Sequence, residues 1–137
     1  MAPTIAELVA DPLVQQALEE AWSDSLSDDA VRRHEEGGWV YKDVSTGVIS
    51  VRRAAGGARA TLDLNTPVIV QGSVVVATFH THPNPSAEGW TTGASPADTQ
   101  SAWLMGVPCL IRAEDGIHTT GPAARRGGLS GDPGFPA

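Results

Sequence analysis

The chain has 137 residues, 41% of them hydrophobic, and a formal charge of −7, which allows one domain with a real core and is too short for two. The acidic balance, with Arg32-Arg33, Arg52-Arg53 and Arg125-Arg126 scattered rather than clustered, excludes the basic face that a nucleic-acid partner requires. The lone Cys109 excludes an internal disulfide, and no apolar run approaches the ~20 residues of a membrane-spanning helix or opens on a signal peptide, so a cytoplasmic protein is expected.

In chain order, Thr4-Ile5-Ala6-Glu7 is a capping-box pattern and Asp11-Pro12 a second helix start, which predicts one helical turn and then a helix over residues 12–25. Leu13, Ala17, Leu18, Ala21 and Leu26 make the expected apolar stripe of that helix, which covers a sheet. An antiparallel hairpin is expected over residues 38–43 and 47–53, with Trp39, Tyr41, Ile49 and Val51 as strand formers and Ser45-Thr46-Gly47 as the turn. Residues 60–64 and 68–70 read as short strands, and residues 73–80 as the buried central one.

Ser95-Pro96-Ala97-Asp98 places serine at an N-cap and proline at the first helical position, so a helix runs to Met105 and stops at Gly106. Residues 109–112 then form a strand that turns at Asp115-Gly116 and pairs with residues 117–120. From Gly121 onward the composition is glycine, proline and arginine, so residues 1–120 are expected to form the domain and residues 121–137 a flexible tail.

The chemistry concentrates at Thr78-Phe79-His80-Thr81-His82-Pro83. Strand side chains alternate, so His80 and His82 point the same way and Thr81 the other. Two imidazoles one strand repeat apart can converge on one ion at the ~2.0–2.1 Å that zinc prefers. A helix starting at Ser95 and packing back beside the strand would bring the Asp98 carboxylate to them, completing a His₂Asp set with a fourth position open to water, the arrangement of catalytic zinc. Asp98 is also the residue an ordinary capping box needs. His34 and His118 are expected to be structural or surface residues, and Cys109 a buried strand residue with no basic neighbour to activate it. Trp90 lies on a long loop from which it could line a substrate groove.

Glu35 three residues before Gly38, then His80-Thr81-His82-Pro83, then Ser95-Pro96-Ala97-Asp98, is an order that resembles the signature of the JAMM metallopeptidases, the MPN-domain metalloenzymes, and among them the prokaryotic JAB-like members. That resemblance implies an α+β fold, an MPN/cytidine-deaminase-like mixed sheet flanked by an N-terminal helix and a helix after the His-x-His strand. It also implies one catalytic Zn²⁺ held by His80, His82 and Asp98, with Glu35 as general base and Ser95 as donor to the oxyanion. Glu36 competes with Glu35, because a one-residue register slip swaps which of them faces inward. The implied reaction is hydrolysis of a peptide or isopeptide bond in a protein substrate, with the C-terminal Gly-Gly tail of a ubiquitin-like or sulfur-carrier protein as a natural fit. The fifteen residues from Pro83 to Ala97 exceed the spacing usual in that family, and a surface insertion of this kind costs little loop entropy.

Two other readings stay open at this stage. A metal-free MPN-like module would serve binding or scaffolding, and a cupin-like protein would use the same His-x-His pair in a different barrel.

Overall fold

A computed structural model describes residues 1–130, and the last seven residues of the expected tail lie outside the described residues. Two helices open the chain. Helix α1 (Ile5–Ala10) carries the predicted capping box, with Thr4 Oγ1 accepting from Glu7 N and the Glu7 carboxylate accepting from Thr4 N. Helix α2 (Pro12–Asp24) starts where Asp11 Oδ1 accepts from Leu13 N and Val14 N. Its buried stripe is Val14, Ala17, Leu18 and Ala21, while Leu13 and Leu26 are exposed. Spacings of three and four centre the face on Val14 and turn Leu13 outward.

Five strands follow: β1 (Gly37–Asp43), β2 (Ile49–Arg53), β3 (Ser73–His82), β4 (Cys109–Ala113) and β5 (Gly116–Thr120). Their order across the sheet is β2-β1-β3-β4-β5, antiparallel throughout except for the parallel pair β3 and β4. A parallel pair needs a long crossover, and helix α3 (Pro96–Met105) lies in it. The fold is therefore α+β, a five-stranded mixed sheet with three helices among the described residues. An open sheet of this kind is not the closed all-β barrel that a cupin requires, so the cupin alternative is set aside.

Helices α1 and α2 cover one face of the sheet, where Leu8, Val14 and Leu18 pack on Val40, Val74, Val76, Phe79 and Leu110. The opposite face carries Trp39, Tyr41 and Val75 under Leu64 and Val107, and beside them Ala102 of α3 against Cys109 and Ile111.

Residues 60–64 and 68–70 are not strands. Strand β1, which they cross, is already paired on both sides by β2 and β3 and offers them no free edge. They cross the second face as an irregular strap tied to the aromatic side chains of β1, with Trp39 Nε1 donating to Leu64 O at 2.9 Å and Tyr41 Oη to Val68 O at 2.7 Å.

Residues 121–130 are not a free tail either. Ile5 N donates to Ala123 O at 2.8 Å, Arg126 N donates to Gly106 O at 2.8 Å, and Thr4 bridges Ala124. Arg125 is buried with Nη1 donating to Val75 O at 3.0 Å, and Leu129 packs on the main core. Composition signalled disorder, but one buried guanidinium and a few backbone bonds are enough to fix ten residues.

One irregularity decides which face the histidines meet. Val40 pairs with Ala77 and Tyr41 with Val75, so Val76 is skipped. A bulge shifts the alternation of its strand by one. Val74 and Val76 therefore point at α2, whereas Thr78, His80 and His82, which strict alternation would place beside them, point at the opposite face.

Candidate metal centre

Strand β3 delivers His80 and His82 to the end of the sheet beside α3, and Thr81 between them turns to the α2 side, where its Oγ1 bonds Ser25 Oγ at 2.5 Å. Opposite them the chain enters β1. Gly37 stands across from His80, and a Cβ on Gly37 would lie 2.2 Å from Phe79 O, so only glycine allows the two backbones this close. Two residues before it, on the same face, Glu35 is buried with its carboxylate toward the histidines. Glu36 points the other way, with Oε2 2.5 Å from His34 Nε2 and Oε1 2.7 Å from Arg53 Nη2. Of the two competing carboxylates, Glu35 is the one the fold brings to His80 and His82.

Helix α3 supplies the fourth side chain. Ser95 and Asp98 form a complete capping box, Asp98 N donating to Ser95 Oγ at 3.0 Å and Ser95 N to Asp98 Oδ2 at 2.9 Å. The Asp98 carboxylate still reaches both imidazoles, Oδ1 at 3.3 Å from His80 Nε2 and Oδ2 at 3.2 Å from His82 Nε2. The two Nε2 atoms are 3.1 Å apart. Capping and convergence on the histidines are thus compatible in one side chain. Ser95 accepts at its Oγ and keeps its own hydroxyl hydrogen to donate into the cleft it lines.

These distances test the fit of a metal ion. Ligand atoms held ~2.0–2.2 Å from one ion at tetrahedral angles stand ~3.3 Å from one another, and the three contacts among His80, His82 and Asp98 are 3.1–3.3 Å. Glu35, His80 and His82 also offer ligand atoms within 4.8 Å of one another, so this group could hold a metal ion, with Asp98 in contact with both of its histidines.

The far side of each ring is consistent with that use. A ligating histidine normally gives its other nitrogen a hydrogen-bond partner, which fixes ring and tautomer. His82 Nδ1 lies 3.2 Å from Thr92 O, a carbonyl that can only accept, and Nε2 faces the cluster. His80 Nδ1 has Cys109 Sγ at 3.6 Å. Thr92 is itself held, its Oγ1 donating to Asp115 Oδ2 at 3.0 Å, and Asp115 Oδ1 lies 2.7 Å from His118 Nε2.

Electrostatics single the cluster out. Burial opposes the charge on Asp98, but hydrogen bonds from His80 and His82 outweigh it and hold the carboxyl well below the usual carboxylate range. Burial likewise opposes a charge on His80, and its contacts with Cys109 and Asp98 reverse the balance and raise it well above an ordinary histidine. Burial pushes Glu35 up, an effect the histidines partly offset and Asp98 reinforces. Neither Lys nor Arg lines either side of the cleft among the described residues. A divalent cation here would take the place of the proton that His80 holds and would face two carboxylates, Glu35 and Asp98.

All five residues picked from the sequence, Glu35, His80, His82, Ser95 and Asp98, line the cleft. Missed were the Cys109 contact, the Thr92 carbonyl and its Asp115 anchor, none of which has a local sequence signal, since each depends on the crossover that lays β4 beside β3. His118 is not a ligand but the partner of Asp115. No helix among the described residues is long and apolar enough to cross a membrane. Comparisons with models of protein families, with curated proteins and with solved structures found no match.

Proposed function

We propose that the protein is a zinc-dependent hydrolase of peptide or isopeptide bonds, with an MPN-like fold. His80, His82 and Asp98 would hold the ion, and Glu35 and Ser95 would act on the substrate. The observation that carries this reading is the convergence, beside Glu35, of His80 Nε2 and His82 Nε2, 3.1 Å apart, on the Asp98 carboxylate, whose Oδ1 lies 3.3 Å from His80 and Oδ2 3.2 Å from His82.

A bound zinc ion supplies an acidified water and polarises a carbonyl oxygen. Glu35 faces the same space and burial raises its pKa above that of an ordinary glutamate, which suits a group that takes a proton from water and later returns it to the departing amine. As the C–O bond forms and the C–N bond breaks, the Ser95 hydroxyl donates to the carbonyl oxygen that gains charge. One such donor is worth ~3 kcal/mol. Helix α3 holds both Ser95 and Asp98 rigidly through their capping box, so neither has to be ordered when substrate arrives.

The test is zinc titration of the purified protein with elemental analysis, followed by mass spectrometry of a ubiquitin-like protein bearing a C-terminal extension. One zinc per chain and cleavage that disappears in both Glu35→Gln and His82→Ala support the reading. A zinc content near zero removes it and leaves the metal-free binding module.

A further inference from the structure

The cleft has two arms that meet at the cluster. An outer cavity of about 280 Å³ runs under Trp90 and past His82, and an inner cavity of about 200 Å³ lies between α3 and the strap. Glu35, Ala60, Ser95 and Asp98 border both. A chain threading from one arm to the other crosses the cluster.

The inner arm has a distinct chemistry. Its apolar walls are Leu62 and Leu64 from the strap, Ala102 and Met105 from α3, and Cys109 from β4, members of the two apolar clusters on this face of the sheet. Thr61, Asn65, Thr78 and Ser101 line it as well, and it opens to solvent past Ser101. Apolar walls with a few polar groups are usual for a pocket that takes a side chain. A pocket of about 200 Å³ is larger than a glycine can use.

Resting on the hydrolase reading above, we propose that the inner cavity is a specificity pocket for an apolar side chain of leucine, methionine or phenylalanine size, borne by the substrate beside the scissile carbonyl. The preferred substrate is then an apolar peptide segment rather than a Gly-Gly terminus. Specificity here comes from Met105 and the strap, and the outer arm under Trp90 accepts the rest of the chain.

The experiment is calorimetric titration of the zinc-loaded protein with acetohydroxamate and with 4-methylpentanohydroxamate, which share a chelating head and differ in the alkyl group that would enter the pocket. The longer probe is expected to bind at least ~10-fold tighter. Ser101→Phe, on the exposed rim of the cavity, is expected to bring the ratio close to one. Met105→Ala is expected to move the optimum to the bulkier 3-phenylpropanohydroxamate. One zinc per chain with equal affinity for the two alkyl probes overturns the pocket and leaves the metal site standing, as does a ratio that neither substitution changes. Failure to take up zinc overturns the hydrolase reading and the pocket with it.

Discussion

Glu35 and Glu36 are neighbours in the chain and end on opposite faces of the sheet, each beside a histidine, in two clusters of different electrical character. On the α2 side, His34 sits between Arg32 O at 2.9 Å and Glu36 Oε2 at 2.5 Å. Both of those atoms only accept, and both raise the pKa of the ring. Arg53 supplies a fixed positive charge, with Nη2 2.7 Å from Glu36 and Nη1 3.1 Å from Asp24. On the cleft side, His80 and His82 face Glu35 and Asp98 with no arginine or lysine lining the space among the described residues. The same residue types make a network closed by an arginine on one face and, on the other, a histidine and carboxylate cluster lined by no arginine or lysine among the described residues. What separates a structural cluster from a candidate metal centre is the fixed guanidinium, not the presence of histidine and carboxylate.

Exchanging each glutamate for glutamine gives the sharpest contrast. Glu35→Gln is expected to lower the rate of peptide cleavage ~10²–10⁴-fold, the range for loss of a general acid-base group, while zinc uptake persists. Glu36→Gln is expected to leave turnover close to the wild-type rate. Steady-state kinetics on the two purified variants reads both, and a rate lost in Glu36→Gln but kept in Glu35→Gln would reverse the assignment of faces.

The second largest effect separates the two roles of one side chain. Asp98→Asn keeps an oxygen that can accept from Ser95 N, so helix α3 keeps its cap, but the charge opposite the histidines is gone. Zinc affinity measured by competition with a chromophoric chelator is expected to fall by at least ~100-fold, beyond the 10–100-fold typical of an outer-shell change. The metal-free protein should stay folded but lose stability, because the substitution also removes the charge that His80 and His82 face. A variant that unfolds while zinc affinity holds would make Asp98 a cap and nothing more.

How much of this was legible in the residues follows the range of the forces involved. Helix starts, the β1–β2 hairpin and the helix at Pro96 depend on contacts within a few residues, and the sequence displays them as caps, proline and alternation. His80, His82 and Asp98 were also legible, because a strand repeat and a helix first turn fix their local directions, whereas Glu35 and Ser95 came from the resemblance to the JAMM order, with Glu36 competing for the place of Glu35. The bulge at Val76 was not, since it exists only in the pairing of β1 with β3. It matters, because unbroken alternation from Val74 would have sent His80 and His82 to the α2 face. The strap over residues 60–70 looked like strands for the same reason in reverse: Leu62, Leu64 and Val70 pack in the cluster of Trp39 and Tyr41 rather than in a ladder, while Val68 and Ile69 stay exposed. Residues 121–130 looked disordered because composition does not reveal that a single arginine, Arg125, is seated in the interior.

Acid should distinguish the two clusters next. In the metal-free protein the pKa of His80 is raised, because contacts with Cys109 and Asp98 outweigh the burial that would lower it. A ligand must be deprotonated, so the ion competes with that proton. Zinc binding is therefore expected to be full above the raised His80 value and to weaken by ~10-fold per pH unit below it, starting above the ~6.5 of an unperturbed histidine. Calorimetry across the neutral range in buffers of different ionisation enthalpy would show proton release on binding. A pH-independent affinity would mean that His80 is not a ligand.

The smallest effect belongs to the Glu36 cluster and has the opposite dependence. The His34 pKa is raised, chiefly by its bond to Arg32 O and further by Glu36, against the opposing pull of burial. A group with a raised folded-state pKa contributes its stability below its unfolded value, and that contribution is lost as pH rises through the folded value. Glu36→Gln removes the charge that His34 and Arg53 share, and is expected to cost about 1 kcal/mol in urea unfolding at acid pH and less above the His34 transition, where only Arg53 loses its partner. Zinc should stabilise this variant as it stabilises the wild type, by ~2.7 kcal/mol at a hundred times the dissociation constant, since the two clusters share no side chain. Loss of zinc stabilisation in Glu36→Gln would mean that the faces are coupled through the backbone leading into β1, where Glu36 N and O both bond Thr81, and that the Glu36 network is part of the metal site's support.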